Sequence, residues 1–249
     1  SDESGEYELH LRSQEGRGPV KTFKIPGAGF YDSLVWSPDS QKLALADNSL
    51  SLFYLDLKSG TVKKIASEYL YSPGRISQVF ASWSPDSKWI AYTLNTQTYI
   101  QKVFVYSIEK DKSYAITDGL SEVDEPRFDA SGNYLYFLAS TDAGPVKQWF
   151  DMSNADLRAS FSLYLAVLKK DLPNPLAKES DEEKIWEKKE VSGSPEARAT
   201  GKTEKGSGAS AGQEKPATTT SQTVIDFDGL EYRIVALPIP PGNYSSLQT

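Results

Sequence analysis

Short runs of alternating apolar and polar residues, separated by turn residues, recur along most of the chain. Such alternation is typical of half-buried β-strands, and the Gly, Pro, Asp and Ser clusters between the runs predict turns. The first two runs resemble the last two strands of a sheet whose beginning lies outside this chain. The predicted strands are 6–12, 20–25, 32–36, 42–46, 50–55, 61–65, 79–83, 88–94, 102–108, 113–117, 124–128, 134–139 and 161–168.

One five-residue phrase repeats along the chain. Trp-Ser-Pro-Asp-Ser occurs at 36–40 and again at 83–87, and a degenerate copy, Phe-Asp-Ala-Ser-Gly, follows at 128–132. A period of about 40 to 50 residues, with several short strands in each copy, indicates the blades of a β-propeller. The sequence therefore predicts an all-β fold, a partial β-propeller built from four-stranded antiparallel blades.

The repeated phrase predicts a tight turn after an aromatic residue. Pro fixes φ at the second turn position, and Asp can hydrogen-bond backbone amides to close the turn. The last position of the phrase often needs a positive φ, which Gly adopts at least cost, and Gly132 stands there in the third copy. The aromatic residue before the turn is expected to be buried between neighbouring blades. These aromatic residues are Trp36, Trp83 and Phe128.

Three regions follow from composition. Residues 1–170 are predicted to form propeller blades, and residues 171–222 are charged and then low in complexity, which predicts a disordered insertion. Residues 223–249 are predicted to continue the propeller, with 231–239 as the entry strand of a further blade. A second insertion at 141–160 interrupts the third blade and is expected to hold a short helix.

Charge and composition exclude several classes of function. The net charge is −7 and the sequence pI is about 4.9, which argues against a nucleic-acid binder. The chain has no cysteine and one histidine, so a His/Cys zinc site is excluded. No apolar run reaches the roughly 18 residues of a membrane span, and no signal peptide is visible. A cytoplasmic location is expected, with a periplasmic or secreted one as the alternative.

Several residues resemble parts of chemical sites without completing one. His10 is the one histidine and lies in a predicted strand, where a lone histidine is more often a surface or packing residue than a base. Gly208-Ala-Ser-Ala-Gly212 fits a nucleophile elbow but lies in the low-complexity region. Asp226-x-Asp228-Gly229 is only part of a calcium loop and predicts a turn. The sequence therefore predicts no catalytic residue, no cofactor and no metal.

Two surface features are candidates for modification or for binding, a glycosylation sequon and an acidic cluster. Asn243-Tyr244-Ser245 fits a glycosylation sequon, which a cytoplasmic or bacterial setting would leave unused. The acidic cluster of Glu122, Asp124 and Glu125 is either a solvated loop or a charged ring that attracts the amino termini of peptides.

Several longer phrases resemble the tricorn-type proteases, which are S41-class serine peptidases. They are VDEPRFD at 123–129, YLYFLAS at 134–140, FDMSNAD at 150–156, SLYLAVLKKD at 162–171 and DGLEYRIVALP at 228–238. The resemblance implies a part of the second propeller of a larger, homo-oligomeric protease. This part would guide peptides to and from a catalytic domain that the chain does not contain.

Two other interpretations stay open at this point. One is a Tol-system-like propeller scaffold that binds protein partners. The other is the propeller of a prolyl-oligopeptidase-like hydrolase, which an α/β-hydrolase domain would follow.

Overall fold

A computed structural model describes residues 5–25, 29–68, 81–97, 100–142, 160–177 and 222–249. These residues form β-strands, turns and one short 3-10 helix, Leu230–Arg233. The strands are β1 Leu9–Leu11, β2 Lys21–Phe23, β3 Tyr31–Trp36, β4 Lys42–Asp47, β5 Ser51–Asp56, β6 Val62–Ser67, β7 Ala81–Trp83, β8 Trp89–Asn95, β9 Gln101–Ser107, β10 Lys112–Ala115, β11 Glu122–Phe128, β12 Tyr134–Ser140, β13 Ser162–Val167 and β14 Ile234–Ala236.

The strands form one hairpin and three four-stranded antiparallel blades. β1 pairs with β2, and the blades are β3–β6 (first blade), β7–β10 (second blade) and β11–β14 (third blade). Within each blade the strands pair in chain order, so that β3, β7 and β11 are inner edge strands. This arrangement confirms the predicted all-β propeller architecture.

The fourth strand of the third blade corrects one prediction. Residues 231–239 were expected to enter a further blade, but β14 pairs antiparallel with β13, in the register Tyr164↔Ala236 and Ala166↔Ile234. The expectation was wrong because the long insertion separates two strands of a single blade. Residues 171–222 follow the end of β13 and residues 141–160 precede its start, so the two insertions leave from opposite ends of that strand.

Alternation along the central strands explains the core. In β4, Leu43 and Leu45 pack towards the β1–β2 hairpin, whereas Ala44 and Ala46 pack towards the second blade. Because successive side chains point to opposite faces and both faces are covered, the strand has a continuous apolar sequence. The second and third blades share a further core that includes Trp89, Val105 and Leu135.

The repeated turn has the geometry that its sequence predicts. The fifth residue of each copy has a positive φ, 57° at Ser40, 59° at Ser87 and 70° at Gly132. In the first two copies the Ser hydroxyl donates to the Asp carboxylate at 2.6 Å, from Ser37 to Asp39 and from Ser84 to Asp86. The third copy exchanges the two positions, because Ser131 donates to Asp129. The degenerate phrase therefore keeps the same hydrogen bond with its partners reversed.

The aromatic residues before the turns differ in burial. Trp83 is 7% exposed and Phe128 is 5% exposed, as predicted, but Trp36 is 48% exposed. The prediction for Trp36 is wrong because the sheet that precedes the first blade has only the two strands β1 and β2 in the described part of the chain. These strands pack against side chains of β4 and β5 and against Tyr31 at the start of β3, and they leave Leu34 and Trp36 of β3 exposed.

Some predictions fall outside the described residues. They are most of the 141–160 insertion with its expected helix, the charged region up to residue 190, and the low-complexity segment apart from Gln222. At the base of the shorter insertion, the Ser160 hydroxyl donates to the Asp142 carboxylate. Among the residues that the structure covers, no helix is long and apolar enough to span a membrane.

Candidate functional site

The inner strands of the three blades form the candidate functional site. They contact one another directly, because the Trp83 indole donates to the Val35 carbonyl at 3.0 Å and the Ser82 hydroxyl donates to the Pro126 carbonyl at 2.6 Å. A propeller arranges its inner strands around a central channel. We call β3, β7, β11 and the neighbouring residues 246–249 the inner surface.

The acidic cluster on β11 lies at this surface but is not a ring of unbonded carboxylates. Glu122 accepts a hydrogen bond from the Gln101 amide at 3.2 Å, and Asp124 accepts one from the Glu125 amide at 2.8 Å. Glu68, which ends the first blade, accepts bonds from the Asn95 amide and side chain, both at 3.0 Å. The cluster therefore lies on strand β11 rather than in a loop, and its carboxylates are hydrogen-bonded, Glu122 to β9 and Asp124 to the next residue of its own strand.

Glu125 has the most unusual conformation in the cluster. The register of β11 shifts between Asp124 and Arg127, and Glu125 has a φ of 51° there. Pro126 explains the irregularity, because proline has no N–H to donate to a strand partner and is favoured at bulges. The bulge directs Glu125 to the last residues of the chain, where its carboxylate accepts bonds from the amides of Ser246 and Leu247.

Arg127 completes this contact with the chain end. Its Nε donates to the Leu247 carbonyl at 3.1 Å, and the Thr249 hydroxyl donates to the Phe128 carbonyl at 2.6 Å. Burial lowers the pKa of the Arg127 guanidinium, while the Glu125 carboxylate acts in the opposite direction. Arg127 and Glu125 therefore bind the main chain of Ser246 and Leu247 by charge-assisted hydrogen bonds. Sequence reasoning missed this pair, although the Glu-Pro-Arg order could have indicated a bulge.

A cavity of about 240 Å³ adjoins this contact. Apolar side chains line most of it, together with two serines and a glutamine. The lining residues are Leu138, Leu163, Ile239, Tyr244, Ser245, Ser246, Leu247 and Gln248.

The remaining candidate residues lie apart from the inner surface. His10 Nε2 is 3.4 Å from the Glu8 carboxylate in the outer hairpin, and Glu8 also pairs with Lys24 at 3.1 Å. The nucleophile-elbow sequence at 208–212 lies outside the described residues, and Asn243 of the sequon is exposed. No group of three metal-ligating side chains occurs in the parts of the chain that the structure describes.

The partial calcium-loop sequence forms a turn, as predicted. Asp226 accepts a bond from the Lys170 amide at 2.9 Å, and the Asp228 carboxylate pairs with the Lys170 ammonium at 2.5 Å. Arg233 donates to the carbonyl groups of both aspartates, and through Nε to that of Val167. Both carboxylates therefore bond to Lys170 and hold the turn against the end of β13.

Two proteins of known identity that resemble this chain in sequence are a tricorn protease and a tricorn protease homolog. The chain is 28% identical over 166 residues to the tricorn protease of Thermoplasma volcanium, covering 64% of this chain and 15% of that protein. It is 30% identical over 133 residues to a tricorn protease homolog of Saccharolobus solfataricus, covering 53% of this chain and 12% of the relative. The chain thus spans less than a fifth of these relatives.

A solved structure supports the fold independently of close sequence similarity. The crystal structure of the tricorn protease matches with a TM-score of 0.58 at 18% identity, over 92% of this chain and 19% of that one. The family described as the tricorn protease second β-propeller domain matches residues 1–249. The chain therefore belongs to the tricorn protease second β-propeller domain family.

Proposed function

We propose that this chain is a non-catalytic propeller segment that guides peptides in a tricorn-like serine protease. The family match over all 249 residues is the observation that carries the proposal. The proposed partners are peptides, the other domains of the parent protease and further copies of the parent, and the proposed location is the cytoplasm.

The inner surface offers a physical means of guiding. Glu122 and Asp124 lie on the inner strand β11 and accept hydrogen bonds from backbone amides, whereas Glu125 lies beside the Arg127 guanidinium. Charge of one sign along a surface raises the local concentration of oppositely charged ligands. Peptides with a free amino terminus or basic side chains are therefore the class that this surface would attract.

The test uses the parent protease and two substrates. Glu122→Gln with Asp124→Asn removes two charges but keeps the side-chain oxygen acceptors. We expect kcat/KM for a long basic peptide to fall by about two- to tenfold, up to the lower limit of electrostatic steering because only two charges are removed, while a short neutral reporter peptide is cleaved as before. Glu109→Gln, on an exposed turn away from the inner surface, is the matched control.

The same assay can reject the proposal. Equal effects on both substrates would indicate damage to the fold or the catalytic domain, and no effect on either would remove the guiding role. The steering effect should also shrink as the salt concentration rises, because salt screens charges across a channel.

A further inference from the structure

Residues 223–227 occupy a groove between the second and third blades without belonging to any sheet. Thr223 and Ile225 are buried, whereas Val224 between them is 42% exposed. This alternation is the one expected of an extended chain that presents every second side chain to a binding surface. In the sequence, the segment directly follows the long polar insertion.

Main-chain groups of the segment are recognised on both sides of the groove. From the second blade, the Asp86 carboxylate accepts a bond from the Thr223 amide at 3.0 Å, and the Trp89 indole donates to the Thr223 carbonyl at 3.3 Å. From the third blade, the Leu168 carbonyl accepts a bond from the Asp226 amide at 2.9 Å. Residues of both blades therefore form hydrogen bonds with the backbone of the segment.

Side chains of the segment pack against residues of the second and third blades. The Phe227 ring stacks on Tyr114 with a centroid distance of 4.2 Å and an interplanar angle of 16°, and lies 6.0 Å from Trp89. Gly132 leaves room for Thr223, because a Cβ at that glycine would lie 2.4 Å from the Thr223 hydroxyl oxygen. At the junction of the first and second blades, Ser87 holds the matching position and accepts the Asp39 amide directly at 3.0 Å. The second junction is thus built to admit a peptide segment.

We infer that this groove is a docking site for an extended peptide with a Thr-x-Ile-Asp-Phe pattern, filled in this chain by its own residues 223–227. The segment contributes to no strand ladder, so its departure would break no sheet pairing, although it would remove Ile225 from the core that the second and third blades share. An intramolecular ligand excludes a second one through its high effective concentration. Weakening the segment therefore opens the site to the same sequence supplied from outside, and this inference does not depend on the peptide-guiding role.

The first test follows amide hydrogen exchange in the unmodified chain. A segment that opens by itself exchanges at a lower free energy than the blades. We expect the Thr223 and Asp226 amides to exchange at least about tenfold faster than the hydrogen-bonded amides of β12 and β13. Exchange at the same rate as those strands would show that the segment opens only with global unfolding, which would overturn the inference.

The second test adds a labelled peptide with the sequence of residues 221–229. The full chain carrying Phe227→Ala should bind it at least about tenfold more tightly than the unmodified chain does. Val224→Ala is the matched control, because that side chain is exposed and its loss should leave the site closed. A peptide with both the Ile and the Phe changed to Ala should not bind. Absence of binding of the intact sequence to folded Phe227→Ala would contradict the inference.

Discussion

The first and second blades begin their turns with the same five residues, yet the two tryptophans have opposite environments. Trp83 is 7% exposed and its indole donates to the Val35 carbonyl of the first blade. Trp36 is 48% exposed, and Leu34, two residues before it on the same strand, is 49% exposed. The local sequence determines the turn in both copies, but a neighbouring blade determines whether the aromatic residue is buried.

Exchanging each tryptophan for alanine tests this difference and has the largest expected effect. Trp83→Ala should lower the free energy of unfolding by about 3–5 kcal/mol, because it empties a large buried site. Trp36→Ala should lower it by less than about 1 kcal/mol, as is usual for an exposed side chain. Denaturant unfolding of the two variants gives both values. Similar losses would mean that Trp36 is covered in solution and that the two environments are not different.

The third copy of the turn has Gly132 where the first two copies have Ser40 and Ser87, so exchanging these residues extends the comparison. Gly132→Ser restores the residue of the other copies but should destabilise the protein by about 1–3 kcal/mol, from a positive φ and a displaced neighbour. The crowding partner is Thr223, whose hydroxyl oxygen would lie 2.4 Å from the new Cβ. The reverse change, Ser87→Gly, should cost less because it relaxes a φ of 59° while it loses one hydrogen bond.

A double-mutant cycle separates the two contributions at Gly132. In a Thr223→Gly background the clash disappears, so the cost of Gly132→Ser should fall towards that of the backbone strain alone. An unchanged cost would show that the segment moves aside freely, and the glycine would then be needed only for its φ.

Thr223 itself offers a smaller effect with the opposite sign. Its hydroxyl is buried and has no hydrogen-bond partner, and a polar group left in this state opposes folding. Thr223→Val keeps the shape and the backbone amide bond to Asp86, so we expect stability to stay level or to rise by up to about 1 kcal/mol. Thr223→Ser keeps the hydroxyl and loses a methyl group, so it should be less stable than either. Thermal unfolding ranks the three proteins, and a loss in Thr223→Val would contradict the assignment of an unbonded hydroxyl.

The repeat and the strand alternation were sufficient to predict the blades, because both depend on residues close in sequence. The bounds of β4 and β8 agree with their predicted runs to within one residue at each end. The burial of Trp36 and the place of β14 could not be predicted in this way, since both depend on which strands lie next to them. The contact of Glu125 and Arg127 with the last residues of the chain was also missed, because its partners are backbone amides and a carbonyl that lie far away in sequence.

The smallest expected effect concerns a polar contact between the first two blades. Lys63 of β6 pairs with Asp111 of the second blade, and Tyr106 donates a hydrogen bond to the same carboxylate. Lys63 and then Tyr106 hold the pKa of Asp111 below its ordinary value of 3.8. The pair should therefore stabilise the fold fully above about pH 4, and its contribution should be lost as the pH falls through the lower pKa of the folded state.

Asp111→Asn tests this contact with little change in shape. Asparagine keeps an acceptor for Tyr106 and tolerates the positive φ of 50° at this position, so the charge is the main difference. We expect a small loss of stability at neutral pH that shrinks on acidification and in high salt, because the pair is exposed to solvent. Lys63→Met should remove the same pH-dependent difference, and the two changes together should cost no more than either alone. The unfolding free energy of Asp111→Asn is compared with that of the unmodified chain at pH 2.5 and at pH 7. If the difference between the two proteins were the same at both pH values, the ion pair would not link these blades. The contact that buries Trp83 would then hold them together without help from charge.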